Sequence, residues 1–275
     1  MEATGYLRRI GLEPDSIYEP DLATLARIQQ AHVTSVPFET LSITGHPHRE
    51  DAGEGVSLSL PDLYEKIVDR RRGGFCFELN GLFGWLLAEL GYERDRVASM
   101  MLSDDGDPSP PANHHTNVVT LDGRRYVVDV GMGIPVLRRP LPLDGEELTD
   151  EVGVDWRVGE SDRPDADYVT QYRKPGEDDW SNRYVFRDVP RELSYFEATC
   201  EYLATAPEST FTGDPVVSIA TGTGHRKLTR ETVTRSWGAE LEEEAVSETD
   251  WDEVLQNEFG IALDREPGLR AGAGG

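Results

Sequence analysis

The residues of this chain best suited to chemistry are a cysteine, a pair of histidines and an aspartate. Cys76 lies in Arg72-Gly-Gly-Phe-Cys76-Phe-Glu-Leu-Asn80, and the others in His114-His115-Thr-Asn-Val-Val-Thr-Leu-Asp122-Gly123-Arg-Arg-Tyr-Val-Val-Asp129-Val-Gly131. A carboxylate beside an imidazole fixes its tautomer and stabilises its charged form. An imidazole so held can take the proton of a thiol, and the three groups together make an activated sulfur nucleophile. A lone cysteine in an apolar helix is more often a small buried hydrophobe. The Gly73-Gly74 pair before Cys76, and the histidines and aspartate downstream, argue for the active reading.

Two elements have to position these groups. After the glycines, which suit a tight turn or close approach to a ligand, comes an apolar run through Phe75, Phe77, Leu79, Leu82, Phe83, Trp85, Leu86, Leu87 and Leu90. Its i+3 and i+4 spacings, with Gly91 after it, predict a buried helix and its stop. Cys76 then falls in the first turn, where unpaired N–H groups and the helix dipole favour a thiolate. Such placement can lower a cysteine pKa to about 3.5–7.5. Asp122-Gly123 between two alternating β-branched runs predicts a hairpin in which facing positions sum to about 245. Either His114 or His115 is then a direct or near neighbour of Asp129.

These motifs closely resemble the arylamine N-acetyltransferase family. The resemblance rests on Arg72 to Asn80, on the strand from His114, and on Val128-Asp129-Val-Gly131-Met-Gly133. Tyr6 to Leu12, Ala31 to Leu41 with its Pro37-Phe38-Glu39 element, and Tyr202 to Phe211 are similar to flanking segments of that family in the right order. The family's interval of fifteen residues between histidine and aspartate selects His114 over His115. The resemblance implies Cys76, His114 and Asp129 as the catalytic set, acetyl-CoA as co-substrate, a small-molecule amine as acceptor, and an acetyl-cysteine intermediate. It implies Phe38, Phe75, Gly131, Met132, Gly133 and Phe211 as substrate-binding positions, with the two glycines letting CoA approach the backbone. It also implies an α+β fold with a papain-like Cys-His-Asp core. Residues 1–95 form a helical bundle bearing the cysteine, 96–195 a β-barrel bearing His114 and Asp129, and 196–275 an α/β lid. Met132 stands where the family commonly has Phe, and Thr40 where it has Asn; both bear on acceptor choice. Glu78 is read from the family as structural, paired with an arginine. The competing readings are an acyltransferase with another acyl donor, a thiol hydrolase, and a non-catalytic small-molecule binder.

The rest of the chain fits that frame. From Tyr6 to Tyr92 the pattern is helical: Leu22, Leu25, Ile28 and Val33 mark one helix, capped by Asp21 and ended by Pro37, and Asp62 to Arg71 marks another. The basic run Arg70-Arg71-Arg72 suits a helix C-terminus. Val97 to Leu102, Tyr168 to Tyr172 and Trp180 to Phe186 read as strands, whereas Asp104 to Asn113, Asp144 to Asp155 and Gly159 to Asp167 read as loops. After Pro190 come a helix over Leu193 to Leu203, a hairpin turning at Gly222-Thr-Gly224, and an acidic amphipathic helix over Glu240 to Phe259. His46, His48 and Asp51 lie in a Pro/Gly-rich loop and read as solvated surface, so no metal is expected.

With 52 acidic against 27 basic residues the formal charge is −25, which argues against nucleic acid and anionic membrane as partners. There is no apolar span of membrane length and no signal peptide, and two cysteines make no disulfide framework, so a cytoplasmic protein is expected. Oligomeric state is open. Lys66, Lys174 and Lys227 are the only lysines. Carboxylate excess with lysine depletion reads as adaptation to a salt-rich cytosol, where molar salt shortens the Debye length to about 3 Å. Activity and secondary structure should therefore fall away on dialysis from molar KCl into dilute buffer; full retention of both in dilute buffer contradicts the halophile reading.

Overall fold

The computed structural model describes residues 1–16, 19–50, 52–103, 106, 109–238 and 240–263. Helix α1 (Ala3–Arg9) and α2 (Leu22–Val33) open the chain, and the Asp21 carboxylate accepts the Thr24 N–H at 2.7 Å as the expected cap of α2. The helix ends at Val33, with Thr34 as its cap, four residues before Pro37. Strand β1 (Phe38–Glu39), α3 (Leu41–Thr44) and α4 (Leu60–Tyr64) follow. The helix expected over Asp62 to Arg71 continues only as a π-helical stretch, Glu65–Asp69. Helix α5 (Cys76–Glu89) is apolar on all sides, and twelve of its fourteen residues are buried. A helix without a polar face belongs in the interior, and α5 is the axis of the helical part.

The middle of the chain is an antiparallel sheet. It contains β2 (Glu93–Met101), β3 (His114–Leu121), β4 (Arg124–Val128), β5 (Leu141–Pro142), β6 (Leu148–Thr149), β7 (Asp155–Glu160), β8 (Tyr168–Arg173) and β9 (Ser181–Pro190). Its order, β5-β4-β3-β2-β9-β8-β7-β6, curls into a nearly closed barrel around Trp156, Tyr184, Phe186 and Met132. Asp122 and Gly123 both have positive φ, 50° and 79°, the geometry of a type I′ hairpin turn. The expected register holds, with Val118 facing Val127 and Asn117 facing Val128. Strand β7 spans the gap between the two acidic stretches expected to be loops and takes in the adjoining end of each, and β6 lies inside the first of them. Trp156, fully buried near the start of β7, pulls that segment into the core despite its flanking charges. Asp104, Asp105, Asp107 and Pro108 of the loop before β3 lie outside the described residues.

The last part contains a short 3₁₀ turn (Leu193–Phe196), α6 (Glu197–Thr205), β10 (Val217–Ala220), β11 (Gly224–Leu228), β12 (Thr232–Trp237), β13 (Glu240–Ala245) and α7 (Trp251–Phe259). Its five-stranded sheet runs β1-β10-β11-β12-β13, so Phe38–Glu39 from the helical part forms one edge. The helix expected over Glu240 to Phe259 is a strand followed by a helix. Gly238, at φ 61°, turns the chain back so that β13 pairs with β12, and Arg235 of β12 reaches Glu244 at 3.0 Å. A cross-strand cation opposite a carboxylate run overrides the helix preference of Glu and Leu. His46 is also not solvated: it is 6% exposed, its Nε2 lies 2.9 Å from Asp252, and its ring stands edge-on to Trp251. Asp51 lies outside the described residues. Among the described residues, no helix is long and apolar enough to cross a membrane.

Candidate active site

Cys76 is the first residue of α5. Its thiol is 4% exposed as part of the residue and donates weakly to the Asn113 carbonyl at 3.8 Å, the residue immediately before His114. The sequence predicts a depressed thiol pKa, and here the balance runs the other way. Burial pushes the Cys76 thiol up, the negative ends of Cys200, Asp129 and Glu78 add to that, and the Phe77 N–H pulls down. Desolvation of a thiolate outweighs the helix start at this position. Burial thus favours the neutral thiol at Cys76.

The hairpin puts the two histidines on opposite faces. With side chains alternating along a strand and the register summing to 245, His114 faces the position of Gly131 and shares a face with Asp129, whereas His115 points to the other side. His114 Nε2 lies 2.6 Å from Asp129 Oδ2, both groups buried. An ionised carboxylate only accepts, so Nε2 carries the hydrogen and Nδ1 is left with a lone pair. Burial opposes charge on Asp129, but His114, the Asn80 amide and the Gly131 N–H together hold its carboxyl below the ordinary range. His115 Nε2 donates to the Phe77 carbonyl at 3.3 Å, and its ring lies between Phe77 and Phe196. Burial pushes the His115 pKa well down, with Arg96 and His114 adding to it, so it stays a neutral brace of the first turn of α5.

Asn80, one turn after Cys76, ties the elements together. Its Nδ2 donates to the His115 carbonyl at 2.7 Å and to Asp129 Oδ1 at 2.8 Å, and its Oδ1 accepts the Val130 N–H at 2.9 Å. The Gly131 N–H reaches Asp129 Oδ1 at 2.9 Å. A Cβ at Gly131 would sit 2.6 Å from Asn80 Nδ2 and 2.7 Å from the Cys76 carbonyl oxygen. Gly131 is therefore needed for contact between the Asp129 segment and the Cys76 helix. Gly73 is needed for a similar reason: a Cβ there would stand 2.1 Å from the Pro37 carbonyl oxygen, so it admits backbone rather than ligand. Arg72 holds the same junction, with Nη2 2.8 Å from Glu39 and Nη1 3.0 Å from Glu54. The partner of Glu78 is Lys66, at 2.7 and 2.8 Å, rather than an arginine.

The aromatic positions named from the sequence converge beside the thiol. Phe75 and Phe38 lie 5.6 and 6.4 Å from Phe211 between ring centroids, and all three pack in or against the cluster holding Cys76, Phe196 and Cys200. Met132 does not join them; it is buried in the barrel cluster with Val97, Val118 and Val127. Gly133 has open space where a Cβ would be, and its carbonyl accepts from Arg183 at 3.1 Å. Both cysteines are free thiols. The roles of Asn80 and Lys66 were not read from the sequence. The signals were there: a carboxamide inside an apolar helix, and a lysine on the apolar stripe of Leu63 and Ile67.

Asn80→Ala leaves Asp129, Val130 N–H and the His115 carbonyl short of a partner inside the protein. It should cost about 1–3 kcal/mol of stability per stranded group, read by denaturant unfolding, and turnover should fall with it; wild-type stability contradicts the clamp. A second outcome follows from the raised Cys76 thiol. The folded state favours the protonated form, so this contribution is complete below the unfolded value near pH 8.5 and is lost as pH rises toward the folded value. The unfolding midpoint of the wild type should drop more steeply from pH 8 to 10 than that of Cys76→Ala; equal slopes contradict the burial argument.

Comparison with known proteins agrees with this arrangement. The N-acetyltransferase family model matches residues 21–267. The arylamine N-acetyltransferase of Mycolicibacterium smegmatis is 34% identical over 270 residues, spanning 96% of this chain and 93% of the relative. Among solved structures, the arylamine N-acetyltransferase of Mycobacterium marinum in complex with CoA has a TM-score of 0.80 at 29% identity, over 94% of this chain and 93% of that one. A Bacillus cereus arylamine N-acetyltransferase with a Cys-His-Glu triad shares the fold at a TM-score of 0.86 and 24% identity, over 96% of this chain and 100% of that one. With the model match leaving out only the first twenty and last eight residues, the chain belongs to the N-acetyltransferase family.

Proposed function

We propose that this protein transfers the acetyl group of acetyl-CoA to the amino group of an arylamine or arylhydrazine, in two steps through an acetylated Cys76. The observation that carries the reading is the 2.6 Å bond from His114 Nε2 to Asp129, which leaves Nδ1 with a lone pair to act as base; the Cys76 thiol contacts the carbonyl of Asn113, the residue before His114. The names of the relatives and the CoA-bound neighbour support the choice of substrates.

In the first step His114 Nδ1 takes the Cys76 proton, and Asp129 stabilises the imidazolium across the Nε2 hydrogen bond. The sulfur attacks the thioester carbonyl, the C–S bond to CoA breaks, and the CoA sulfur leaves with the proton from His114. In the second step the amine attacks the acetyl carbon, His114 removes the ammonium proton, and Cys76 leaves and is reprotonated. The unpaired N–H groups at the start of α5 are suited to receive the oxyanion. The thiol, whose neutral form burial favours, becomes reactive by giving its proton to His114. Phe38, Phe75 and Phe211 supply aromatic faces for the acceptor, and Gly133 leaves room for CoA. In this reading residues 1–95 carry the nucleophile, 96–195 the base and its carboxylate, and 196–275 the cover. Two free thiols fit a reducing cytoplasm, and the charge balance fits a salt-rich one.

Initial rates measured over a grid of acetyl-CoA and arylamine concentrations should give parallel double-reciprocal lines; converging lines contradict the two-step route. His114→Gln should lose about 10²–10⁴-fold in kcat/KM, while His115→Gln keeps the pH optimum and most of the rate. The reverse ranking would transfer the base to His115.

A further inference from the structure

Lys66 is one of three lysines in the chain and is 8% exposed. It lies in the π-helical stretch Glu65–Asp69, a rare backbone form that often marks functional positions. Its Nζ sits 2.7 Å from Glu78 Oε1 and 2.8 Å from Oε2, with Glu39 at 3.9 Å. Glu39 is shared with Arg72. An ammonium this deep is costly unless it is paired on this scale.

Glu78 is what links Lys66 to the chemistry. It occupies the first turn of α5, two residues after Cys76, and its Oε2 accepts the Phe75 N–H at 3.1 Å. It therefore fixes the peptide that leads into Cys76. Its negative charge also acts against a Cys76 thiolate, as do Asp129 from the strand side and Cys200 from α6. In the proposed reaction the cation that forms is His114, next in sequence to the Asn113 whose carbonyl the thiol contacts. Burial raises the Glu78 carboxyl, and Lys66 is the largest counterweight.

We propose that Lys66 is a positioning residue for acetyl transfer: it clamps Glu78 so that the first turn of α5 is held, and it cancels the carboxylate charge that opposes the Cys76 thiolate. This rests on the reading of Cys76 as nucleophile. Its test does not need acetyl-CoA, so failure of the transferase reading would leave the result intact.

The measurement is the pH profile of Cys76 alkylation by iodoacetamide, followed by peptide-resolved mass so that Cys200 is counted separately. Lys66→Met should move the profile up by about one pH unit and slow alkylation at pH 7 by about tenfold, and Lys66→Arg should bring it back. Glu78→Gln keeps an acceptor for the Phe75 N–H and leaves Lys66 its contact with Glu39, so it should move the profile down. That variant decides the question where Lys66→Met does not fold. In turnover, Lys66→Met should lower kcat more than it changes KM for acetyl-CoA. A folded Lys66→Met with the wild-type profile overturns the proposal, and so does a Glu78→Gln profile at or above that of the wild type.

Discussion

A single buried carboxamide connects the two halves of the site. Asn80 stands on the cysteine helix, yet all three hydrogen bonds of its side chain run to His115, Asp129 and Val130 on and just beyond the hairpin strands. Inside a protein each of those groups would be costly to leave unpaired, so the helix cannot slide or rotate against the hairpin without breaking several bonds at once. Gly131 closes the same joint sterically, because any side chain there would collide with the start of α5. The geometry of Cys76, His114 and Asp129 follows from that joint.

The electrostatics of the site are those of an enzyme at rest. Asp129 is held ionised by three donors, and His114 is held in one tautomer by Asp129. The thiol is shielded from water and kept protonated. A thiol of this kind needs a partner base to ionise, since burial disfavours its charged form. The ion pairs beneath it, Lys66 with Glu78 and Arg72 with Glu39, are buried in a chain whose surface is overwhelmingly acidic. Two of the buried cations, Lys66 and Arg72, are placed where carboxylates approach the cysteine helix.

Much of this was legible in the amino-acid sequence because strong local signals agreed. The Asp-Gly turn set the hairpin register and the apolar run set α5, while the register alone left His114 and His115 both open and only the family resemblance favoured His114; strand alternation puts His114 on the face of Asp129 and turns His115 away. The failures have one cause, tertiary context overriding local pattern. Glu240 to Ala245 is rich in helix formers and is nevertheless an edge strand, because β12 offers Arg235 across the ladder. Strand β7 hid between charged flanks, though Trp156 marked it. Burial of Cys76 reversed the pKa expected from its helix position, since desolvation depends on the surrounding packing. The partner of Glu78 could not be read from spacing, as Lys66 reaches it only through the π-helical stretch.

The most direct test of the central claim is the intact mass of the protein after mixing with acetyl-CoA in molar KCl, with no amine present and with Cys76→Ala as control. The account predicts a gain of one acetyl group on the wild type alone, matched by release of one equivalent of CoA. Unchanged mass with no CoA released would contradict acetyl-CoA as the donor. Continuous CoA release without an adduct would make the protein a thioester hydrolase instead.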